Sequence, residues 1–519
     1  MDQQDSLPRN LLIYGACAVV AIVLGYMMSN PFSTKNLLVV GALLGFMCSP
    51  ILLKWYHPLL IFCWNAAITF YFLPGQPTVV FIMSVLGFSV ALLSRFMSVK
   101  YRFHNDRFMA VALTAFVGVL LVTAYGNGGI GLRSTGSETY GGKKYFLILG
   151  AVMGYYALVS RGIAPRRGLL YTSVFMLSAL TAVLSYLIYF AGPAAYPLFN
   201  FFPPELMGLQ GLEGLFGRGG MVRWAGLSTT GSACCFYLML RFGVRGLLNI
   251  HTPWRGLCFL FFLVVSLLGG FRTVLLLIAL TFWAQFFLEG LHRTRYLPAL
   301  AAVCVVLFAL SLPFVEKMPL SVQRTLSVLP VEVDPIAEAD ARESTEWRVD
   351  MWKRLVPLIS EYFWLGKGFG IDPIDLYFAQ EGVRRGALRN FEPALVAGNY
   401  HNGGLSVLIG FGIFGLISFI LILIASIRIL YRYYRRRDPL LHTINVFLLA
   451  YFVARTISFF LVFGEIGTDV TVFLGIVGLG ISLNLGSERQ RSARGTDEAL
   501  PEADEGAEER ETPTNLILA

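Results

Sequence analysis

Residues 402–427 read NGGLSVLIGFGIFGLISFILILIASI, a run without one charged side chain. It ends at Arg428 and is followed by Arg432, Arg435, Arg436 and Arg437. A helix rises about 1.5 Å per residue, so about 20 apolar residues cross the hydrocarbon core of a bilayer. The run is therefore read as a membrane span, with the basic cluster marking its cytoplasmic end. The rest of the chain agrees. Of its 519 residues, 56% are hydrophobic and only 14% charged, with a mean hydropathy of +0.65. Soluble domains carry about 25% charged residues, so a soluble enzyme and a disordered protein are both excluded. The net charge of +9, from 41 basic against 32 acidic residues, is read as loop charge on the cytoplasmic side rather than as a nucleic-acid footprint.

A window of about 19 residues predicts an all-α, polytopic protein of fourteen spans, roughly 10–28, 36–53, 58–73, 78–95, 108–125, 145–160, 168–191, 225–241, 256–271, 273–290, 297–314, 402–427, 442–463 and 466–485. With the N-terminus inside, short inner segments hold 19 basic residues and short outer loops seven. Both ends are then cytoplasmic. No small-x-small cleavage site follows the run Asn10–Met28, so it is expected to be a retained helix. Three regions result: N-terminal spans over 1–191, a second membrane region over 192–485 with a long outer loop at 315–400, and a tail over 486–519 that is expected to be disordered, acidic and cytoplasmic. Within the loop, Ser344-Thr345-Glu346 predicts a helix over Trp347–Tyr362, with Trp352, Leu355, Val356 and Ile359 on one face. The seven cysteines all lie in apolar runs without a histidine at metal-ligand spacing and read as small buried residues.

Of six histidines, five fall at inner loops and His401 alone falls outside. Histidine is the side chain suited to take a proton near neutral pH. By position alone, a histidine that only caps or packs is the plainer reading. His401-Asn402, nine residues and Gly412-Ile413-Phe414-Gly415 complete the pattern H-[N/S/Q]-x9-G-x-x-G. On one continuous helix Gly412 would lie about 16 Å deep, where small residues let a neighbouring helix approach.

This pattern resembles the signature of the bacterial O-antigen ligase and Wzy-type polymerase superfamily. Two further stretches are similar to that family. Gly270-Phe271-Arg272-Thr273 sets an arginine at the outer start of a span. Trp347-Arg348-x3-Trp352 and Leu365-Gly366-Lys367-Gly368-Phe369-Gly370 look like its R-x3-W and P-L-x-G-x-G elements, with Trp364 where a proline is usual. Arg223, before Trp224-Ala225-Gly226, sits where some members carry another outer arginine. The likeness covers about 215–430.

The resemblance implies a GT-C-like membrane glycosyltransferase in the bacterial inner membrane. Its partners would be a polyprenyl-pyrophosphate-linked glycan donor, a lipid or glycan acceptor and membrane lipids, with no nucleic acid. The residues fit that chemistry. A departing pyrophosphate needs fixed positive charge where negative charge develops, and arginine binds phosphate in two-point fashion. Arg272 and Arg348, with Arg223 as a third, are the candidate pyrophosphate clamp. His401 is the candidate general base, and Asn402, Gly412 and Gly415 are motif positions that hold it. The first outer loop, Ser29–Lys35, has no Asp or Glu, so no metal and no cofactor are expected. The Gly-rich stretch Tyr125–Tyr145 is read as an outer loop, since no strand precedes it as a nucleotide loop requires.

Two rival classes are a flippase-like transporter and a non-catalytic export scaffold. A coupled transporter places ionisable groups within its spans, whereas only Arg455 is expected inside one; Glu465, Asp469 and the site cavity are its candidate destinations. Within the enzyme reading, ligase and polymerase share the motif, and the ligase pattern is the closer match.

Overall fold

A computed structural model of the chain describes residues 53–97, 106–129, 141–203, 224–327 and 331–497, with side chains to 488, and scattered residues between 14 and 51. The chain divides into two units, Met1–His57 and Pro58–Ala519. The described residues of the first are helical, and the expected spans 10–28 and 36–53 lie largely outside them. The second holds helices α1 (Val79–Met97), α2 (Arg107–Asn127), α3 (Gly142–Val159), α4 (Pro165–Ala191, with 3-10 turns at its start and middle), α5 (Ala225–Leu247), α6 (Pro253–Leu268), α7 (Arg272–Leu288) and α8 (Tyr296–Ser311). Then follow α9 (Leu320–Leu326), α10 (Pro335–Glu361), α11 (Pro373–Arg384), α12 (Glu392–Val396), α13 (Gly403–Arg436), α14 (His442–Leu461) and α15 (Ile466–Asp497). Extended pairing among the described residues is limited to a bridge between Thr69 and Thr78, so the described fold is all-α. Among the described residues, seven helices are long and apolar enough to cross a membrane, and α6 and α7 are shorter apolar helices.

α15 forms the centre, with 83% of its apolar window buried, whereas α8 has 6% and stands at the edge. α3 packs between α1 and α15, α13 between α2 and α14, and α7 between α14 and α5. Polar pairs tie the central helices. Asn445 and Asn484 exchange amide hydrogen bonds of 3.2 and 3.0 Å across α14 and α15. Cys63 and Cys235 are buried as expected, but Cys304 on the peripheral α8 is exposed.

Four sequence expectations change. The span 58–73 ends early: residues 58–63 are helical, and 66–70 are not, with Thr69 in a bridge to Thr78. Trp64 donates to Thr471 O at 2.9 Å and Asn65 to Phe175 O at 2.7 Å. Beyond them the backbone pairs with Asn200 and Phe201 instead of continuing the helix. The helix expected from Trp347 starts twelve residues earlier. Asp334 caps it by accepting from Ile336 N at 2.8 Å, and Pro335 stands in the first turn, where its missing N–H costs nothing. Val356, expected on the buried face, is 62% exposed; Met351 and Leu355 supply the buried contacts with Phe391, Tyr400 and Ile409. The tail expected to be disordered from 486 instead continues α15 to Asp497, where Ser487 bonds Asp438 and Glu488 pairs with Arg436; 498–519 lie outside the described residues.

The fourth change concerns Gly412. α13 is not continuous. Gly412 has φ 67° and ψ −170°, which breaks the helix into 403–411 and 413–436. Into this break fits the segment 363–368. Ile413 N donates to Phe363 O at 2.7 Å, Lys367 N to Ile409 O at 2.7 Å and Gly368 N to Gly410 O at 2.9 Å. A Cβ at Gly412 would lie 2.2 Å from Trp364 O. The residue therefore admits a loop backbone, not a neighbouring helix, and the 24 residues after it are by themselves about 36 Å long, enough to span. Gly415 lies within the second part, its would-be Cβ 2.2 Å from Phe411 Cβ.

Candidate functional site

The inserted segment is fixed from three sides. Thr123 Oγ1 donates to Leu365 O at 2.8 Å and Asn127 Nδ2 to Gly366 O at 3.1 Å, both from α2. Tyr145 OH on α3 accepts from Phe369 N at 2.8 Å. Gly366 and Gly368 adopt φ of 74° and 72°, so the glycines of this stretch let the chain thread between helices. The ends of the Gly-rich loop also dock here: a Cβ at Gly129 or Gly141 would collide with Gly370 or Phe369. Residues 130–140, the middle of that loop, lie outside the described residues.

This scaffold leads the chain to His401. Lys144 donates to Ala397 O and Asn399 Oδ1 at 3.2 and 2.8 Å and pairs with Glu465 at 2.9 Å. It pins the approach to the histidine against the loop between α14 and α15. His401 itself has φ 51°, a left-handed conformation uncommon for a non-glycine residue. Asn402 then caps α13, its Oδ1 accepting from Leu405 N at 3.0 Å while its Nδ2 reaches Phe460 O at 3.4 Å. Gly403 and Gly464 meet nearly backbone to backbone, a Cβ on Gly464 falling 2.8 Å from Gly403 Cα. The motif asparagine and its neighbour thus set where the histidine stands.

The imidazole is held between two aromatic rings. Trp347 on α10 meets it edge-on with centroids 5.0 Å apart, and Phe463 does so at 4.9 Å. The next indole, Trp352, donates to Tyr400 O at 2.9 Å and anchors the residue before the histidine. Burial lowers the His401 pKa, the Arg348 guanidinium lowers it further, and Glu465 opposes them. The neutral, proton-accepting form is therefore favoured at pH 7. Its Nδ1 is buried with no hydrogen-bond partner. Burial also pushes the Tyr400 phenol up to about 12.

Arg272 starts α7 and reaches the same helix α10, donating from Nη2 to Ala341 O at 3.3 Å. Ala341 and Arg348 are one heptad apart, so Arg272 and Arg348 reach one side of α10 within about 10 Å along its axis. A residue not singled out from the sequence organises this corner. Arg324 on α9 is 4% exposed, donates from Nη1 to Gly270 O at 3.2 Å and pairs with Asp340. It clamps the turn before Arg272 onto α10. The only signal for it was an arginine in the otherwise weakly charged turn Leu320–Leu326, with an aspartate sixteen residues on. Arg223 lies outside the described residues; the next residue, Trp224, donates to Gly269 O at 3.0 Å.

Arg455 finds the second of its candidate partners. Its Nη2 meets Asp469 Oδ1 at 2.6 Å, and the other carboxylate oxygen accepts from Glu465 N at 2.8 Å. Asp469, in the first turn of α15, is 2% exposed. The pair braces the Phe463–Glu465 loop beside His401. Glu289, near the end of α7, is likewise committed: it caps a break at Gly243 in α5, accepting from Val244 N and Arg245 N at 2.9 and 2.8 Å.

The structure therefore brings together His401, Arg348 and Arg272 around α10, from three separate parts of the chain. Residues 257–420, which contain all three, match the profile of a family described as O-Antigen ligase. A search among curated proteins finds no significant match. The chain is thus a helical membrane protein in which residues 257–420 are similar to the O-antigen ligase family, and that match supports a glycosyltransferase-like enzyme of surface polysaccharide biosynthesis.

Proposed function

We propose that this protein, whose O-antigen ligase region spans 257–420, transfers a glycan from a polyprenyl-pyrophosphate donor to an acceptor hydroxyl on the periplasmic face of the bacterial inner membrane. The observation that carries this reading is the meeting at α10 of the His401 imidazole, whose basic form is favoured, with Arg348 of that helix and with Arg272, which reaches it from α7. The acceptor hydroxyl attacks the anomeric carbon, the bond from that carbon to the pyrophosphate oxygen breaks, and the hydroxyl proton passes to His401. Arg272 and Arg348 hold the pyrophosphate before and during its departure, where fixed charge is worth most. Trp347 and Phe463 restrict the imidazole plane, and the Asn402 cap fixes its height above α13. Arg324 and Asp340 position Arg272 and contact no substrate.

In this reading both termini are cytoplasmic, and 315–400 faces the periplasm. The transfer needs no metal ion. Purified protein supplied with a labelled polyprenyl-pyrophosphate glycan tests the proposal. Product on lipid A–core supports a ligase. Product only on a second lipid-linked glycan moves the assignment to a polymerase. Movement of intact donor across vesicles without any transfer would favour the transporter. A cysteine placed at 340 should react with an impermeant reagent from the periplasmic side; reaction from the cytoplasmic side alone contradicts the orientation.

A further inference from the structure

A second site lies at the far end of the helices from His401. α3 starts beside the Asn399 approach and ends near Arg161, about 23 Å of helix beyond Lys144. α5 likewise starts at the Gly269 corner and runs to Leu247. At that far end a groove of about 600 Å³ opens between α4 and α5, within the range of ligand sites. Its two ends differ. Arg166 and Arg241 line one end, and Leu169, Val174 and Leu177 continue along about 12 Å of α4.

The polar residues of the groove do not make it polar. Ser173 donates to Leu169 O at 2.6 Å, Ser178 to Phe175 O at 3.0 Å and Thr181 to Ser178 O at 2.8 Å. These hydroxyls spend their protons on their own helix, leaving a wall that needs no hydrogen-bonding ligand. The arginines differ in this respect. Both are exposed, and among the described residues neither is paired with a carboxylate; Arg241 only donates to Tyr237 OH at 2.6 Å and lies over the Phe242 ring.

We infer that this groove binds an anionic phospholipid, its phosphodiester on Arg166 and Arg241 and one acyl chain along Leu169, Val174 and Leu177. Two unneutralised guanidiniums at one end of an apolar channel match an amphiphile with a charged head, and arginine pairs with phosphate oxygens at two points. A zwitterionic lipid offers the same tail but carries its own cation to the arginines. A free anion offers the head without the tail.

The full chain in mild detergent is mixed with dioleoylphosphatidylglycerol or dioleoylphosphatidylcholine, and retained lipid is read by native mass spectrometry. Phosphatidylglycerol should be retained by about tenfold in preference, and it alone should raise the unfolding midpoint. The Arg166→Gln/Arg241→Gln protein should lose the preference, while Arg293→Gln/Arg295→Gln, a basic pair outside the groove, keeps it. Val174→Trp should reduce retention of both lipids. Equal retention of the two lipids by the wild-type chain would overturn the site, and this comparison stands even if a variant fails to fold. Equal loss in both arginine pairs would reduce it to general surface charge. An equal midpoint rise with inorganic phosphate alone would contradict the role of the acyl channel.

Discussion

Replacing Gly412 by alanine tests the broken-helix architecture, because the neighbouring Gly410 provides an internal control. Gly412 has φ 67° and ψ −170°, a region open essentially to glycine, and strain there costs on the order of 1–3 kcal/mol. The added Cβ would also meet Trp364 O at 2.2 Å and Leu365 N at 2.8 Å. Both are backbone atoms of the segment that donates and accepts the three hydrogen bonds of the break. Each such bond contributes about 0.5–1.5 kcal/mol. Losing part of them brings the expected cost to about 3–5 kcal/mol. At Gly410 the nearest atom to an added Cβ is Phe369 Cε1 at 3.9 Å, an ordinary contact. Alanine there should be neutral or improve the helix by up to about 1 kcal/mol. Unfolding of both variants can be followed by tryptophan emission, since Trp364 lies at the break. Gly412→Ala should unfold well below wild type and Gly410→Ala should not. If the two variants unfold together, the segment does not depend on the Gly412 conformation and the reasoning fails.

The acid limb of kcat/KM should fall below the ordinary histidine value of about 6.5, because burial and Arg348 both hold the His401 pKa down. Activity is then lost as pH drops through that lowered value and the base becomes protonated. Arg348→Gln should move the limb upward by removing the second cause while burial persists; an unmoved limb would separate Arg348 from His401. Asp469→Asn removes the buried carboxylate that pairs with the half-buried Arg455, with a destabilisation on the order of 1–3 kcal/mol. The double variant with Arg455→Met should recover part of it in an unfolding cycle, and no recovery would show that the two act independently. Transfer in excess EDTA should be unchanged, while a strict need for Mg²⁺ or Mn²⁺ would point to another glycosyltransferase class.

Much of the site was legible because it lies in short motifs next to long apolar runs. His401 was conspicuous as a histidine on the less basic side of a charge pattern that holds over the whole chain. Arg272 was visible as a charge between two apolar runs. The conformation of Gly412 is not legible in the sequence, since a window of hydropathy reports composition and not φ. The run 402–427 is apolar throughout, so nothing in its periodicity marks the break that the 363–368 segment fills. The early end of the 58–73 run has the same origin: Trp64 and Asn65 score as tolerable span residues, and their long-range bonds to Thr471 and Phe175 are invisible locally. At the start of α10 two signals compete: Asp334-Pro335 and the Ser344-Thr345-Glu346 run both read as helix starts, and the first one opens the helix. Arg324 could not be picked from sequence, as its value lies in joining Gly270 to Asp340 across the fold.

The central claim is that His401 takes the acceptor's proton while the arginines hold the donor. Single-turnover transfer by folded, purified His401→Ala protein, with donor affinity measured in parallel, tests it most directly. The rate should fall by on the order of 10²–10⁴, with donor binding close to wild type. Full transfer activity in that variant would contradict it.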